Sequence, residues 1–283
     1  MSRRESLKKS WQDRVTRKER RTIWTDEQGH RRIRNTDARD YSSMNDRSKL
    51  DEVPWFIKPE SLYLYNNVIL LDTRNPKSYE TSHIRNSVNV HDIFTYLLKS
   101  SEPKDIENMR NHFQQRLSEV GITGDLNEHV VLYEQGMNKN YGSSCRGFFL
   151  LKWMHHPNVS VLQGGLDAFL QTDVGKMQMT NELPTIKQCV YNGQDDTNDW
   201  LMAHKNDILD VLNNKRKAHL LDVRDAAEWQ GLTSSPYGID FSPRKGRILN
   251  SIWIEWYIKN IFFTHFSYVF RKFVIYRAYL LLF

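Results

Sequence analysis

Two matched triplets and two cysteines are the residues of this 283-residue chain whose types and spacing could do chemistry. Asp72-Thr73-Arg74 follows the apolar run Ile69-Leu70-Leu71, and Asp222-Val223-Arg224 follows Leu220-Leu221. A carboxylate two residues before a guanidinium can pair with it and tie a strand end to nearby loops. Cys145 and Cys189 are the two thiols, hence the candidates for a sulfur nucleophile. Cys145 precedes Arg146, a cation that would favour the thiolate, but the same residue also suits a small buried position. Cys189, in Lys187-Gln188-Cys189-Val190, has no such support. His155 and His156 are adjacent, so on a helix their side chains diverge by about 100° and chelate poorly. They read as a helix end. No glycine-rich loop leads into Lys-Ser or Lys-Thr, and neither a metal nor a cofactor is expected.

The elements that would position these residues alternate in type. Ile69–Thr73 and Val88–Val90 read as strands. Ile93–Lys99 and Ile106–Val120 have helical spacing, the second with Met109, Phe113, Leu117 and Val120 on one stripe. Val130–Tyr133 is a continuous buried strand, Ser143–Trp153 a well-buried helix, and Val159–Leu162 another strand. Gly164-Gly165 marks a strand-to-helix turn. Strands alternating with helices predict an α/β fold, a parallel sheet with helices on both faces. The expected core includes Leu70, Leu71, Val131, Leu132, Phe149, Val161 and Leu162.

The stretch Leu70–Val90 returns 150 residues later. Leu220–Arg224 repeats the first half, Gly246–Ser251 the second, and Ile252-Trp253-Ile254 stands where Val88-Asn89-Val90 stood. One repeat at this spacing means two copies of a domain-sized unit. The expected domains are a basic, disordered extension 1–50, a first copy 51–187, a linker 188–199 within the polar stretch Asn181–Trp200, a partial second copy 200–256 and a tail 257–283. Trp200–Leu212 is expected to open the second copy as a helix, and Gly231–Lys245, rich in Ser, Pro and Gly, is expected to be a poorly ordered loop.

These residues carry a resemblance. Asp-x-Arg followed by the Ser82–Ser87 turn, then Val130–Tyr133 and Val159–Phe169 with Gly164-Gly165, resembles the signature of tandem rhodanese-type sulfurtransferases. Asp222–Trp256 is the closer match. The resemblance implies transfer of sulfane sulfur from thiosulfate or 3-mercaptopyruvate to a thiol or cyanide acceptor. It implies a thiolate nucleophile directly after the central strand, in a nest of backbone N–H groups. In the first copy that position is Glu134, which cannot carry sulfane sulfur. Cys145 stands as the alternative nucleophile. Asp72, Arg74, Asp222 and Arg224 match the family's Asp-x-Arg, implied to be structural. Glu228 stands where some members have a donor-binding arginine. The expectation is therefore a sulfurtransferase-family protein that is inactive as given; the alternative is a non-catalytic rhodanese-like binding module.

Composition narrows the partners and the compartment. Residues 1–50 hold 15 Lys/Arg and 8 Asp/Glu, while the remaining residues hold 25 and 26, so the basic excess lies in the extension. Without stacking geometry or more charge there, no nucleic-acid partner is expected. Two cysteines are too few for a disulfide framework, and no apolar signal region opens the chain, which points to the cytoplasm. Abundant arginine leaves a mitochondrial transit segment as the alternative, against which Glu5, Asp13 and Glu19 weigh. Tyr257–Phe283 has ten aromatics and no acid, but Lys259, His265, Arg271, Lys272 and Arg277 interrupt its apolar runs, so no stable span is expected. At the first copy's spacing, the second copy's active loop would fall beyond Phe283. A truncated second copy with an unrelated tail is therefore expected, a membrane-associating tail being the alternative.

Overall fold

The computed structural model describes residues 22–25, 31–34, 53–98, 100–136, 142–193 and 201–254. It divides into two units, Met1–Glu52 and Val53–Phe283. In the first unit β1 (Thr22–Thr25) and β2 (Arg31–Arg34) pair antiparallel, Ile23 opposite Ile33. This ladder lies within the extension for which the composition suggests disorder. Tyr257–Phe283 and residues 194–199 of the expected linker lie outside the described residues.

The second unit opens with β3 (Phe56–Ile57) and a 3-10 turn over Pro59–Leu64. Then come β4 (Val68–Asp72), α1 (Pro76–Thr81), β5 (His83–Ile84), β6 (Val88–Asn89), α2 (Asp92–Thr95) and α3 (Pro103–Glu119). β7 (His129–Tyr133), α4 (Ser143–Trp153), β8 (Asn158–Leu162), α5 (Gly165–Phe169), α6 (Asp173–Met177) and β9 (Met179–Thr180) follow. The main sheet has the order β3-β8-β7-β4-β6 and is parallel throughout, while β5 and β9 form a small antiparallel pair. The fold is α/β, as expected.

Both faces of the sheet are covered, which is why its strands are apolar without alternation. Leu71, Val130 and Leu132 point to one side and pack with Phe113, Leu117, Leu151 and Trp153. Leu70, Val131 and Tyr133 point to the other and pack with Ile84, Leu162 and Phe169. All seven residues expected in the core are buried. Each large side chain so buried contributes about 1.5–3 kcal/mol.

The structure departs from the sequence expectation where side chains leave their helix to pack elsewhere. The helix expected over Ile93–Lys99 stops at Thr95, because Tyr96 swings out to stack on His112 and meet Phe113 edge-on. α3 starts at Pro103, whose missing N–H costs nothing at a first helical position. Part of the expected linker packs into the core of the main sheet. Tyr191 is buried there, its hydroxyl donating to Met154 O at 3.1 Å and its N–H to Ser118 Oγ at 3.0 Å. Met202 enters the same core with Leu201 and Ala203 beside it, and α7 (Lys205–Leu212) begins only afterwards.

A buried polar cluster lies where β7 begins. His129 Nε2 lies 2.9 Å from Ser160 Oγ, whose own hydrogen goes to Pro54 O at 2.5 Å. Burial, with His156 and Lys152 nearby, pulls the His129 pKa down to about 4. Burial lowers that of His156 as well. Burial pushes Glu128 up, but bonds from His156, Thr123 and the Gly124 N–H outweigh it and hold the carboxyl at about 2. The signs agree. Unfolded histidines take protons below about pH 6.5 that the fold refuses, and the unfolded carboxyl takes one below about 4.5. Stability is therefore complete above about pH 6.5 and drains as the pH falls toward 4, with Glu128 adding its share at lower pH. His129 alone accounts for about 2–3 kcal/mol of this loss. Urea midpoints measured across this range should fall steadily, and His129→Gln should flatten the slope. A level profile down to about pH 4.5 would contradict this account.

Candidate active site

The Asp-x-Arg triplets are built alike. Asp72 ends β4, fully buried, and its carboxylate accepts from Arg74 N at 2.8 Å, Nε at 3.0 and 3.1 Å and Nη2 at 2.7 Å. Arg74 Nη2 also donates to Ser82 O at 2.7 Å, and Nη1 to Gln135 Oε1 at 3.1 Å. The pair thus ties the strand end to the turn after α1 and to the segment after β7.

A second set of elements repeats this arrangement: β10 (Leu221–Asp222), α8 (Ala226–Gln230) and β11 (Ile252–Trp253). Asp222 accepts from Arg224 Nε at 3.0 Å and Nη2 at 2.7 Å, and Nη2 also donates to Gly246 O at 2.7 Å. The registers match, Leu71 opposite Val88 and Leu221 opposite Ile252, both parallel. Asn75 and Asp225 both cap the following helix, and Asn86 and Asn250 both take a left-handed backbone. Where the first set stacks His83 on Tyr79, the second places Arg247 over Trp229. Glu228 is buried in α8, 4.0 Å from Arg224 Nη1, and burial with Asp225 nearby raises its pKa. The loop Gly231–Lys245 lies between α8 and β11. It is a series of turns with Ser234 and Ser242 buried, and Lys245 Nζ donates to Leu232 O at 3.2 Å.

Glu134 sits where the central strand β7 ends, fully buried, facing the start of α4. Its Oε2 accepts from Ser144 N at 3.0 Å and from Ser143 Oγ at 2.8 Å. Ser143 Oγ lies 2.7 Å from Thr73 Oγ1, which donates to Tyr133 O at 3.0 Å. The first turn of a helix offers unpaired N–H groups and a partial positive charge, so a carboxylate there is stabilised. The side chain at the expected nucleophile position is itself the anion that the helix end would otherwise attract.

The backbone on either side of Glu134 is clamped from α5. Leu166 N donates to Glu134 O at 2.9 Å and Asp167 N to Gln135 O at 2.8 Å. Gln135 Nε2 donates to Asp167 Oδ1 at 2.6 Å. Gly165 makes this approach possible. Its φ is +66°, and a Cβ there would lie 2.6 Å from Glu134 O. Gly165→Ala should therefore cost about 2–3 kcal/mol, combining left-handed strain with a backbone collision. Chemical denaturation reads the loss. Wild-type stability in that variant would mean that the clamp moves freely.

The cysteines do not join this site. Cys145 is the third residue of α4, half-buried, beside an apolar groove formed by Trp55, Phe56, Phe148 and Val161. Cys189 Sγ contacts Ser118 O at 3.7 Å, and burial, with Glu128 nearby, raises its pKa and disfavours the thiolate. His155 follows the end of α4 with a left-handed backbone, and His156 is buried with Nε2 3.7 Å from Glu128 Oε2. Among the described residues no group of three metal-ligating side chains gathers, and no helix is long and apolar enough to cross a membrane. The sequence points to Glu134, Asp72, Arg74, Asp222 and Arg224 but not to Thr73, Ser143, Ser144 or Gln135. Ser143-Ser144 ahead of an apolar run is a helix-start signal that could have placed two of these near Glu134.

Residues 62–172 match the family model of the rhodanese-like domain. No curated protein matches this chain by sequence. Among solved structures, SseA from Escherichia coli, a 3-mercaptopyruvate sulfotransferase, is similar with a TM-score of 0.56 and 19% identity, over 72% of this chain and 76% of SseA. EanB in complex with hercynine is similar with a TM-score of 0.55 and 17% identity, over 77% of this chain. YnjE is similar with a TM-score of 0.55 and 16% identity, over 70% of this chain. The likeness spans about half of the latter two, 49% of EanB and 47% of YnjE. At these identities it shows a shared fold, that of the rhodanese domain.

Proposed function

We propose that this chain is a sulfurtransferase-family protein with two rhodanese-like units, which as given transfers no sulfur. By resemblance its relatives move sulfane sulfur from thiosulfate or 3-mercaptopyruvate to a thiol or cyanide acceptor. That step needs a thiolate: it attacks the sulfane sulfur, an S–S bond forms, and the rest of the donor leaves with the electron pair. The observation that carries the proposal is Glu134 at the end of β7, its carboxylate already held by Ser143 Oγ and Ser144 N. A carboxylate there cannot form a persulfide, and its charge opposes an anionic donor. Both cysteines of the sequence lie away from a strand end, one inside α4 and one beside the end of α3.

Support for two units comes from the paired Asp-x-Arg bonds, the equal registers and the paired left-handed asparagines. We place the protein in the cytoplasm on its cysteine usage, with no nucleic-acid or cofactor requirement. A second reading, a non-catalytic rhodanese-like binding module, gains from the same carboxylate. With Glu134 on the helix end, a ligand there would be a peptide rather than a small anion.

The test is sulfur transfer with thiosulfate plus cyanide and with 3-mercaptopyruvate. No turnover above the protein-free rate is expected. Turnover that disappears in Cys145→Ser would overturn the proposal and make Cys145 the nucleophile.

A further inference from the structure

The loop Gly231–Lys245 carries a hydroxyl that the proposed function does not use. Ser242 is 5% exposed, and its Oγ has no hydrogen-bond partner among the described residues. A buried hydroxyl left unpaired is costly, so the segment holding it opens more readily than its burial suggests. The backbone around it is irregular, held by Ser242 N to Gly238 O at 3.1 Å and Gly238 N to Ser235 O at 3.2 Å. Pro243 follows, then Arg244 and Lys245, all three exposed. Proline biases the residue before it toward an extended backbone, the form in which an enzyme cleft reads a chain. The two cations give that cleft a second mark.

The loop also reaches α4 beside the candidate site. Tyr237 lies beside the guanidinium of Arg146, on the first turn of α4. Arg146 Nη2 also donates to Tyr96 O. Phe241, next to Ser242, meets the Tyr237 ring edge-on at 5.5 Å. Displacing Ser242 therefore displaces the residue that supports Tyr237.

We propose that Ser242 is a phosphorylation site, read by a protein kinase that selects Ser-Pro followed by cations, and that phosphate there releases the loop from α4. Ser242 Oγ bonds to the γ-phosphorus of ATP while the β,γ-bridging P–O bond breaks. The hydroxyl proton passes to the kinase's base, and ADP leaves. The product carries about −1.5 to −2 charges, which a nearly closed position cannot hold. Asp240 repels it, while Arg244 and Lys245 on the solvent side can pair with it. The phosphorylated residue therefore turns outward and takes Phe241 with it.

Ser235 is an internal control. It also precedes a proline, but Tyr237 and Gly238 follow in place of cations, and its Oγ accepts from Tyr237 N at 2.9 Å. The full chain is incubated with ATP and a proline-directed kinase of basic preference, mapped by peptide mass, then followed by amide hydrogen exchange. Phosphate is expected on Ser242 and not on Ser235. Exchange over residues 237–245 should speed up about tenfold. Ser242→Ala, treated identically, should gain neither. Tyr237→Phe, without phosphate, should reproduce part of the acceleration. Phosphate on Ser235 alone, or on Ser242 only after the chain is unfolded, overturns the site. Phosphate on Ser242 with unchanged exchange overturns the release. No outcome depends on sulfur transfer, so this test and that of the proposed function fail separately.

Discussion

Asp72→Ala is expected to unfold the domain built on the main sheet under mild conditions, with a loss of about 3–5 kcal/mol. Asp72 is fully buried, and Arg74 is only 5% exposed. Burial alone would disfavour the guanidinium's charge, but the bonds and charge of Asp72 outweigh it and hold the pKa above its ordinary value. Removing the carboxylate strands that charge. It also loosens Ser82 O and Gln135, which the same guanidinium holds. Asp72→Asn keeps the shape and should cost less. Asp222→Ala should also cost less, because the Arg224 side chain is 11% exposed and regains water more easily. Urea unfolding of the three variants gives the order. A loss below about 1 kcal/mol in Asp72→Ala would mean that the pair does not hold the strand end.

Glu134→Cys is expected to turn an inert position into a sulfur carrier. In a background of Cys145→Ser and Cys189→Ser the new thiol is the sole one. It would stand at the end of β7 facing Ser144 N, in the field of the α4 N-terminus, which lowers a thiol's pKa. Incubation with thiosulfate should load about one sulfur per chain with release of sulfite, against none in the parent. Intact mass and sulfite release measure both products. If the variant keeps its fold and takes up no sulfur, the identity of residue 134 is not what decides sulfur loading.

Much of this arrangement is local, and local features are legible in a sequence. A strand buried on both faces needs an unbroken apolar run, so Ile69–Leu71 and Val130–Tyr133 announce a covered parallel sheet. An Asp-x-Arg pair closes over two residues, so its bonds at both strand ends follow from the triplet itself. The helix Ser143–Trp153 has the bounds its pattern predicts. Other features are hidden because a few apolar residues sit among polar ones. Tyr191 and Met202 enter the core from a stretch that reads as linker and second-unit helix, since composition averages over the single side chain that finds a cavity.

The sequence by itself determined the α/β architecture, the two Asp-x-Arg strand ends and the carboxylate directly after the central strand. The tertiary structure alone decided what that carboxylate does. Its partners Ser143 and Ser144 lie beyond a loop, and Thr73, which links Ser143 to Tyr133 O, comes from another strand. Tyr237 is likewise brought beside Arg146 from far along the chain. Hydrogen bonds of that kind are set by the packing of strands and helix ends in space, and no periodicity along the chain encodes them.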